Sequence, residues 1–429
     1  MTQITRRKFL TLAGGTLAIG SLGFPYLSLA GSGHVVIVGG GIGGATAAKY
    51  IRMADAGIEV TLIEPNKIYY TCFMSNEVLG GYRSIDSLKF GYDGLRAHGI
   101  KVIHDLASGI DPVAKKVTTK SGQTLSYDRC IVSPGISFKW GAIEGYTPEA
   151  VEKMPHAWKA GPQTVLLRKQ LEAMPDGGTM LIVAPPNPFR CPPGPYERAC
   201  QVGSYFKQHK PKSKILVLDQ KPKFSKFGLF QDAWARHYGY GKQDGMIDWI
   251  SGDGGGKVTR VDPKTMTVEA AVDFEGDVIN IIPPQQAGKI AFAADLVDKT
   301  GWCPIKGRTF ESSLHKDIYV VGDAAIAAPL PKSGYAANSE AKVCAAAVVA
   351  SLNDQPAPEP SWVNTCYSLV TPDEGISVAM VYKLDEKGKI SKIKGSGGLT
   401  PKEVDPVMRK REARYAHSWL ANITHDTFG

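Results

Sequence analysis

The sequence predicts an α/β fold: two Rossmann-like dinucleotide-binding domains plus a small α+β C-terminal domain. Three observations carry that expectation. A strand, glycine loop, helix, strand and acid follow one another from His34 to Glu64; a second strand-and-helix alternation runs to Asp219; and a late strand ends in Gly322-Asp323.

The first run has every part the dinucleotide fingerprint requires. Val35-Val36-Ile37-Val38 is an apolar strand that enters Gly39-Gly40-Gly41-Ile42-Gly43-Gly44, with the fingerprint spacing at Gly39, Gly41 and Gly44 and a further glycine at Gly43. Gly39 makes the tight turn, Gly41 lets backbone approach a pyrophosphate, and Gly44 permits close helix packing. An alanine-rich helix follows, whose free N–H groups and positive dipole end suit phosphate. The next strand closes on Glu64, placed to accept hydrogen bonds from a ribose.

Residues 1–30 read as a signal removed from the working protein. Thr5-Arg6-Arg7-Lys8-Phe9-Leu10 is a twin-arginine pattern, Leu12 to Leu27 is weakly apolar and interrupted by glycines and Pro25, and Ser28-Leu29-Ala30 fits a small-x-Ala cleavage site. The expected location is therefore the periplasm, reached by twin-arginine export of an already folded protein. The whole chain of 429 residues has 50 basic and 41 acidic residues. Without the signal the balance is mild, about +6. Basic and aromatic residues do not alternate in a nucleic-acid manner, and no later stretch is long and apolar enough for an integral membrane segment.

After Glu64, Tyr69-Tyr70-Thr71-Cys72 passes where such folds hold a flavin ring, so Cys72 is a candidate flavin neighbour. Ile103 to Leu125 alternates in β fashion, and Tyr127 to Gly135 is a strand and turn in which Cys130 reads as core. The second unit begins near Gly145. Where a nicotinamide-binding domain needs a second glycine loop, the chain reads Pro185-Pro186-Asn187-Pro188-Phe189-Arg190-Cys191-Pro192-Pro193-Gly194-Pro195-Tyr196-Glu197. Prolines donate no N–H to a pyrophosphate, so electrons from NAD(P)H are not expected. Gly322-Asp323, paired with the N-terminal fingerprint, favours FAD, with the Asp323 carboxylate toward the ribityl chain. The helix from about Ala336 to Leu352 turns its N-terminus toward the flavin and contains Cys344, read as packing. The linker 354–360 leads to a C-terminal region with a turn-like Asn364-Thr365-Cys366, a strand from Ile376 to Lys383, and a helix from Pro406 to Leu420. The apolar residues of that helix are too scattered for a membrane-surface face. The expected division is 1–30 signal, 31–144 and 285–355 FAD-binding domain, 145–284 second Rossmann-like domain without a nucleotide loop, and 356–429 interface domain.

Seven cysteines, none in C-x-x-C, exclude a thioredoxin-type pair and a c-type haem site on this chain. Cys191 in a proline loop and Cys366 in a turn-like segment have the settings of reactive thiols. On the residues alone, both Cys191–Cys366 and Cys191–Cys200 remain open as disulfides. Glu197 is a candidate proton carrier and equally a helix N-terminal acid. No metal site is expected.

Tyr70-Thr71-Cys72, the Phe189 to Glu197 loop and Asn364-Thr365-Cys366-Tyr367 closely resemble the flavoprotein subunits of flavocytochrome c sulfide dehydrogenases. These share a glutathione reductase-like fold with sulfide:quinone oxidoreductases. The resemblance covers essentially the whole chain and implies FAD held through a thioether at Cys72, with Cys191 and Cys366 as a redox disulfide beside the ring. It further implies sulfide as substrate and a heterodimer with a c-type cytochrome subunit that carries the haem c. The rivals are a sulfide:quinone oxidoreductase, a type-II NADH dehydrogenase, and a non-catalytic flavin-binding assembly subunit.

Overall fold

The computed structural model describes residues 33–429, so the export-signal segment 1–30 lies outside the described residues. The first sheet is wholly parallel. Its early strands are β1 (His34–Val38), β2 (Glu59–Ile63), β3 (Lys101–Ile103) and β4 (Arg129–Val132); helix α1 (Ile42–Ala54) joins β1 to β2, and the short helix α2 (Ser75–Gly80) follows. Four consecutive residues, Val35 to Val38, are buried, as expected of a parallel strand covered on both faces. The region read as alternating is a three-stranded antiparallel meander, Ala107–Asp111, Lys116–Thr119 and Thr124–Ser126.

The chain leaves this domain through Ile136–Phe138 and returns through Gln285–Ala287, and these two segments pair antiparallel. Between them lies a second parallel sheet, ordered β7-β6-β5-β8: β5 is Thr179–Ala184, β6 Lys214–Asp219, β7 Ile247–Ile250 and β8 Val278–Ile281. Helix α3 (Gly194–His209) connects β5 to β6, and α4 (Phe227–Tyr238) follows β6. Strand β9 (Ile318–Val320) then re-enters the first sheet beside β4. Helix α5 (Gly334–Leu352), capped by Ser333, packs on α1. Alanines on both helices are buried and allow close approach (Ala45 and Ala48; Ala337 and Ala341).

The C-terminal region differs from the sequence expectation in two places. Cys366 lies not in a turn but within the nine-residue strand β10 (Ser361–Leu369), opposite Val378 of β11 (Gly375–Leu384). The partner strand supplies the ladder that the local residues alone do not announce.

The final helix α6 runs Pro406–Phe428, eight residues beyond the predicted end. Its buried positions, Arg409, Glu412 with Ala413, Ala416, Leu420, Ile423 with Thr424, and Thr427, recur every three or four residues. A face therefore exists, but its first half is made of small and polar side chains and only Leu420, Ile423 and Phe428 are large and apolar, a pattern hydropathy does not detect. Its last turn docks on the first domain. The Asp426 carboxylate accepts from Tyr50 Oη at 2.7 Å and Asn338 Nδ2 at 2.8 Å, and pairs with Lys342 Nζ at 2.9 Å. Phe428 enters a cage of Tyr69, Phe90 and Tyr92, with ring centroids 5.3, 5.5 and 6.1 Å away. Tyr92 in turn donates to the Gly40 carbonyl at 3.2 Å.

Removing that plug is expected to loosen the glycine loop it supports. Phe428→Ala should cost about 3 kcal/mol in urea unfolding of the first domain. An unchanged midpoint would show that the last turn contributes nothing to the fold.

Candidate active site

The glycine loop is shaped by contacts only glycine allows. At Gly39, where φ is +101°, an added Cβ would lie 2.3 Å from the Ser133 carbonyl oxygen, and at Gly44 one would lie 1.9 Å from the Gly39 oxygen. Gly43 packs against Ser133 Oγ in the same way, whereas a Cβ on Gly41 would meet only Tyr69, at 3.6 Å, on the open side of the loop. No side chain caps the start of α1, so its first N–H groups are free for an anion. Glu64 closes back on the loop, its Oε2 accepting from Gly40 N at 2.9 Å.

Across the cradle, Gly322 adopts φ +79° and donates to Glu340 Oε2 at 2.7 Å. The neighbouring Asp323 Oδ1 is buried with no hydrogen-bond partner. An open glycine loop at one end and an orphaned carboxylate oxygen at the other fit a dinucleotide with a polyol chain. Burial pushes the Asp323 carboxyl up, while Arg190 and Lys332 oppose it.

Three cysteine-bearing segments border this cradle. Cys72 lies between the Tyr69–Tyr70 bridge and α2, its carbonyl accepting from Ser75 N at 3.2 Å. Cys191 stands just before α3 in the left-handed region, at φ +57°, a conformation uncommon outside glycine and enriched at functional sites. It is held there by Cys191 N donating to Lys332 O and Gly194 N donating to Cys191 O, both 2.8 Å. A Cβ at residue 194 would come within 3.1 Å of Cys191 Sγ, so Gly194 makes room for the thiol.

Burial pushes the Cys191 thiol well up; Cys366 and Glu197 act in the same direction, and Arg190 and Lys226 oppose. Cys191 and Cys366 are thus close enough for the charge of one to act on the other. Arg190 links Cys191 to Cys72: burial works against its charge, but Cys72, Asp323, Tyr69 and Cys191 surround it and raise it.

All seven cysteines are unbonded here, so the Cys191–Cys366 pair that the resemblance implies as a disulfide stands in its reduced, dithiol form, and Cys72, Cys191 and Cys366 alone are not fully buried. Cys200, the rival partner of Cys191, points away into the core and accepts from Trp234 Nε1 at 3.1 Å. Cys130, Cys303 and Cys344 are likewise packed inside.

One carboxylate holds the three segments in register. Glu197, in the first turn of α3, accepts from Leu369 N at 2.8 Å and from Asn76 Nδ2 at 3.0 Å. Leu369 is three residues past Cys366 on β10, and Asn76 is four past Cys72 on α2. Burial raises the Glu197 carboxyl, and those two donors pull against it.

Behind it, buried Arg198 donates to Asn76 Oδ1 at 3.1 Å, to Asn280 Oδ1 at 2.7 Å and to the carbonyls of His156 and Ala157. Burial lowers it to about 9. Lys226 Nζ reaches Cys366 O at 2.7 Å and Ser368 Oγ at 2.9 Å. Lys332 Nζ donates to Asp323 O at 2.7 Å and lies 3.8 Å from the Trp302 ring centroid. Sequence reasoning missed Asn76, Arg198, Lys226, Lys332 and Glu340. Arg190, adjoining Cys191, was the only new cation with a local signal.

The cleft of the second domain is filled by its own side chains. Asp219, at the end of β6 where a ribose acid stands in the first domain, accepts from Tyr196 Oη at 2.5 Å, Trp249 Nε1 at 3.3 Å and Lys221 Nζ at 2.6 Å. The Tyr196 ring stacks on Phe224 with centroids 3.5 Å apart.

Comparison with known proteins gives three matching families. Residues 33–161 match the pyridine nucleotide-disulphide oxidoreductases, residues 164–283 the central region of the sulfide dehydrogenase (flavocytochrome c) flavoprotein chain, and residues 358–428 the flavin-binding region of flavocytochrome c sulphide dehydrogenase. A sulfide dehydrogenase flavoprotein chain from Chlorobaculum thiosulfatiphilum is 54% identical over 48 residues, which is 11% of this chain and all of that sequence. The mitochondrial sulfide:quinone oxidoreductase of Mus musculus is 21% identical over 68% of this chain; the match spans 65% of the mouse protein's length. In three dimensions, the sulfide:quinone oxidoreductase of Aquifex aeolicus superposes with a TM-score of 0.67 at 19% identity, covering 92% of each chain, a likeness of fold.

Glu340 gives the cradle a pH signature. Burial moves its carboxyl from 4.5 to about 8, with the Gly322 N–H and Lys332 opposing. The folded protein therefore keeps a proton that the unfolded chain releases. Its contribution is fullest below about 4.5 and is lost as pH rises through about 8. Glu340→Gln retains the acceptor for Gly322 N and should match the parent near pH 4.5. At pH 8.5 it should exceed the parent by about 4 kcal/mol in thermal unfolding. Parallel pH profiles for the two proteins would refute this assignment.

Proposed function

The chain belongs to the flavocytochrome c sulfide dehydrogenase flavoprotein family of the pyridine nucleotide-disulphide oxidoreductases, and from that premise we propose that it oxidises sulfide through a Cys191–Cys366 disulfide and delivers the electrons to a c-type cytochrome subunit. It is a flavin-dependent oxidoreductase of a sulfide-metabolising family. The observation that carries the finer reading is the convergence of Cys191 and Cys366 on Glu197 and Lys226, with Arg190 bridging Cys191 to Cys72 and Asp323.

FAD would be held by the glycine loop with Gly39, Gly41, Gly43 and Gly44, by Glu64, by Gly322 and Asp323, and by a thioether to Cys72. Bound FAD supplies an acceptor for two electrons that can be passed on singly. The chemistry of this chain's own residues begins at the disulfide. Hydrosulfide attacks one sulfur, a new S–S bond forms, the Cys191–Cys366 bond breaks, and its electron pair leaves on the other cysteine as thiolate. Arg190, beside Cys191 and the cradle, attracts the anionic substrate. Glu197, pushed toward its neutral form next to both thiols, is placed to hold a proton.

The filled cleft around Asp219 supports a donor other than NAD(P)H. The twin-arginine pattern supports a periplasmic protein, and a covalent flavin suits a compartment where free FAD is scarce. The haem c would lie on the cytochrome partner.

Quinone as acceptor is the second reading, favoured by the mouse relative's name. Against it, the buried face of α6 is spent on β10, β11 and the first domain, and among the described residues no helix is long and apolar enough to cross a membrane. Reduction of a soluble quinone analogue rather than cytochrome c would favour it.

Two measurements test the proposal. Anaerobic titration with sulfide should bleach the flavin bands, with cytochrome c restoring them. Cys191→Ser or Cys366→Ser should slow bleaching by about 100-fold or more, and a variant at parental rate would remove the disulfide from the mechanism. Denatured intact mass should include one FAD in the parent and none in Cys72→Ala. FAD retained in that variant would exclude the thioether.

A further inference from the structure

Lys226 is a buried cation in direct contact only with neutral groups, the Glu197 carboxyl being the one acid whose charge it influences. It stands at the start of α4 with φ +60°, in the left-handed region that a lysine rarely adopts, and its side chain turns inward. The ammonium donates to Cys366 O at 2.7 Å, Ser368 Oγ at 2.9 Å and Ile376 O at 3.4 Å. All three are neutral. Among the described residues it makes no ion pair with a carboxylate, unlike buried Lys221, which pairs with Asp219 at 2.6 Å. Burying a charge that only neutral acceptors contact is costly, and an anion formed beside it during function would offset that cost.

We propose that Lys226 is a positioning residue whose ammonium holds the negative charge left on Cys366 when the disulfide opens, directing incoming sulfur to Cys191. This rests on the disulfide reading of the preceding subsection. Hydrosulfide brings one negative charge and one proton. It bonds to Cys191 Sγ, the Cys191–Cys366 bond breaks, and the bonding pair with that single charge remains on Cys366 Sγ. The proton stays on the terminal sulfur of the persulfide, and no further oxidant is required.

The groups facing the two sulfurs favour this direction. Cys366 faces Lys226 from α4 and Glu197 from α3, and Lys226 is the first charge to oppose the upward pressure of burial on that thiol. Cys191 faces Cys366, Glu197, Arg190 and, as the weakest influence, Lys226, with Arg198 also within its reach. The backbone carbonyl of Cys366 fixes the ammonium at that residue's side of the pair.

The test is the pH dependence of thiol alkylation in the reduced holoprotein, read separately at Cys366 and Cys191 by peptide mass spectrometry. Lys226→Met should raise the Cys366 midpoint by at least about one pH unit, a tenfold loss of thiolate at a given pH below it, with a smaller rise at Cys191. Lys226→Arg should keep the parental midpoint, because its charge is retained, and Lys226→Gln, read in the same way, replaces the methionine variant if that one does not fold. A Cys366 midpoint unmoved in Lys226→Met, or raised in Lys226→Arg with FAD still bound, would overturn the proposal. The midpoints are read without sulfide. A parent whose flavin stays oxidised under sulfide would therefore sink the sulfide reading and the direction of sulfur transfer, while the alkylation profile judges Lys226 independently.

Discussion

The Glu197 carboxylate is the constraint on which the site depends. Three segments that are distant in sequence must meet within hydrogen-bond range, and a backbone N–H from β10 and an amide from α2 both end on this one side chain of α3. A buried carboxylate with two directional donors fixes position more sharply than apolar packing, which tolerates sliding. The cost is desolvation, visible in the raised carboxyl, and it is offset only while both donors stay in place. Arg198 extends the restraint to Asn280 on β8 and to the carbonyls of His156 and Ala157, so the bracket is anchored in the second sheet.

That anchoring explains what became of the second domain. Its strands and crossover helices are intact, yet the loop after β5 carries prolines and Cys191, and the acid at the end of β6 is saturated by Tyr196, Trp249 and Lys221. A loop that wraps a pyrophosphate must be glycine-rich with free N–H groups. A loop that presents one thiol in a left-handed conformation gains from the stiffness of its proline neighbours. The scaffold has been kept as a rigid holder for a sulfur atom, and its cleft packed shut with aromatic rings.

The first domain is tied to the same apparatus by Lys332, whose carbonyl receives Cys191 N and whose ammonium binds the Asp323 loop. Movement at the ribityl side of the cradle is thereby coupled to the thiol loop. From the opposite side, α6 ends in the aromatic cage beside the glycine loop, so all three parts of the chain meet at one cradle.

The sequence by itself determined the elements whose physics is local. The glycine spacing, the β1 and β5 apolar runs, the acid at Glu64, the missing second glycine loop and the proline-rich setting of Cys191 are all written in neighbouring residues. Close steric contacts at Gly39 and Gly44 explain why no other residue serves there. Cys366 was legible as a chemical group but not as a strand residue, because its ladder partner Val378 lies beyond a turn. The buried face of α6 was missed because arginine, glutamate, alanine and threonine do not look apolar, though they recur at helical spacing. Lys226, Arg198 and Glu340 carried no signal. A charged residue in sequence reads as surface, and only tertiary structure decides which charges are buried together, with what partners, and against which sulfur.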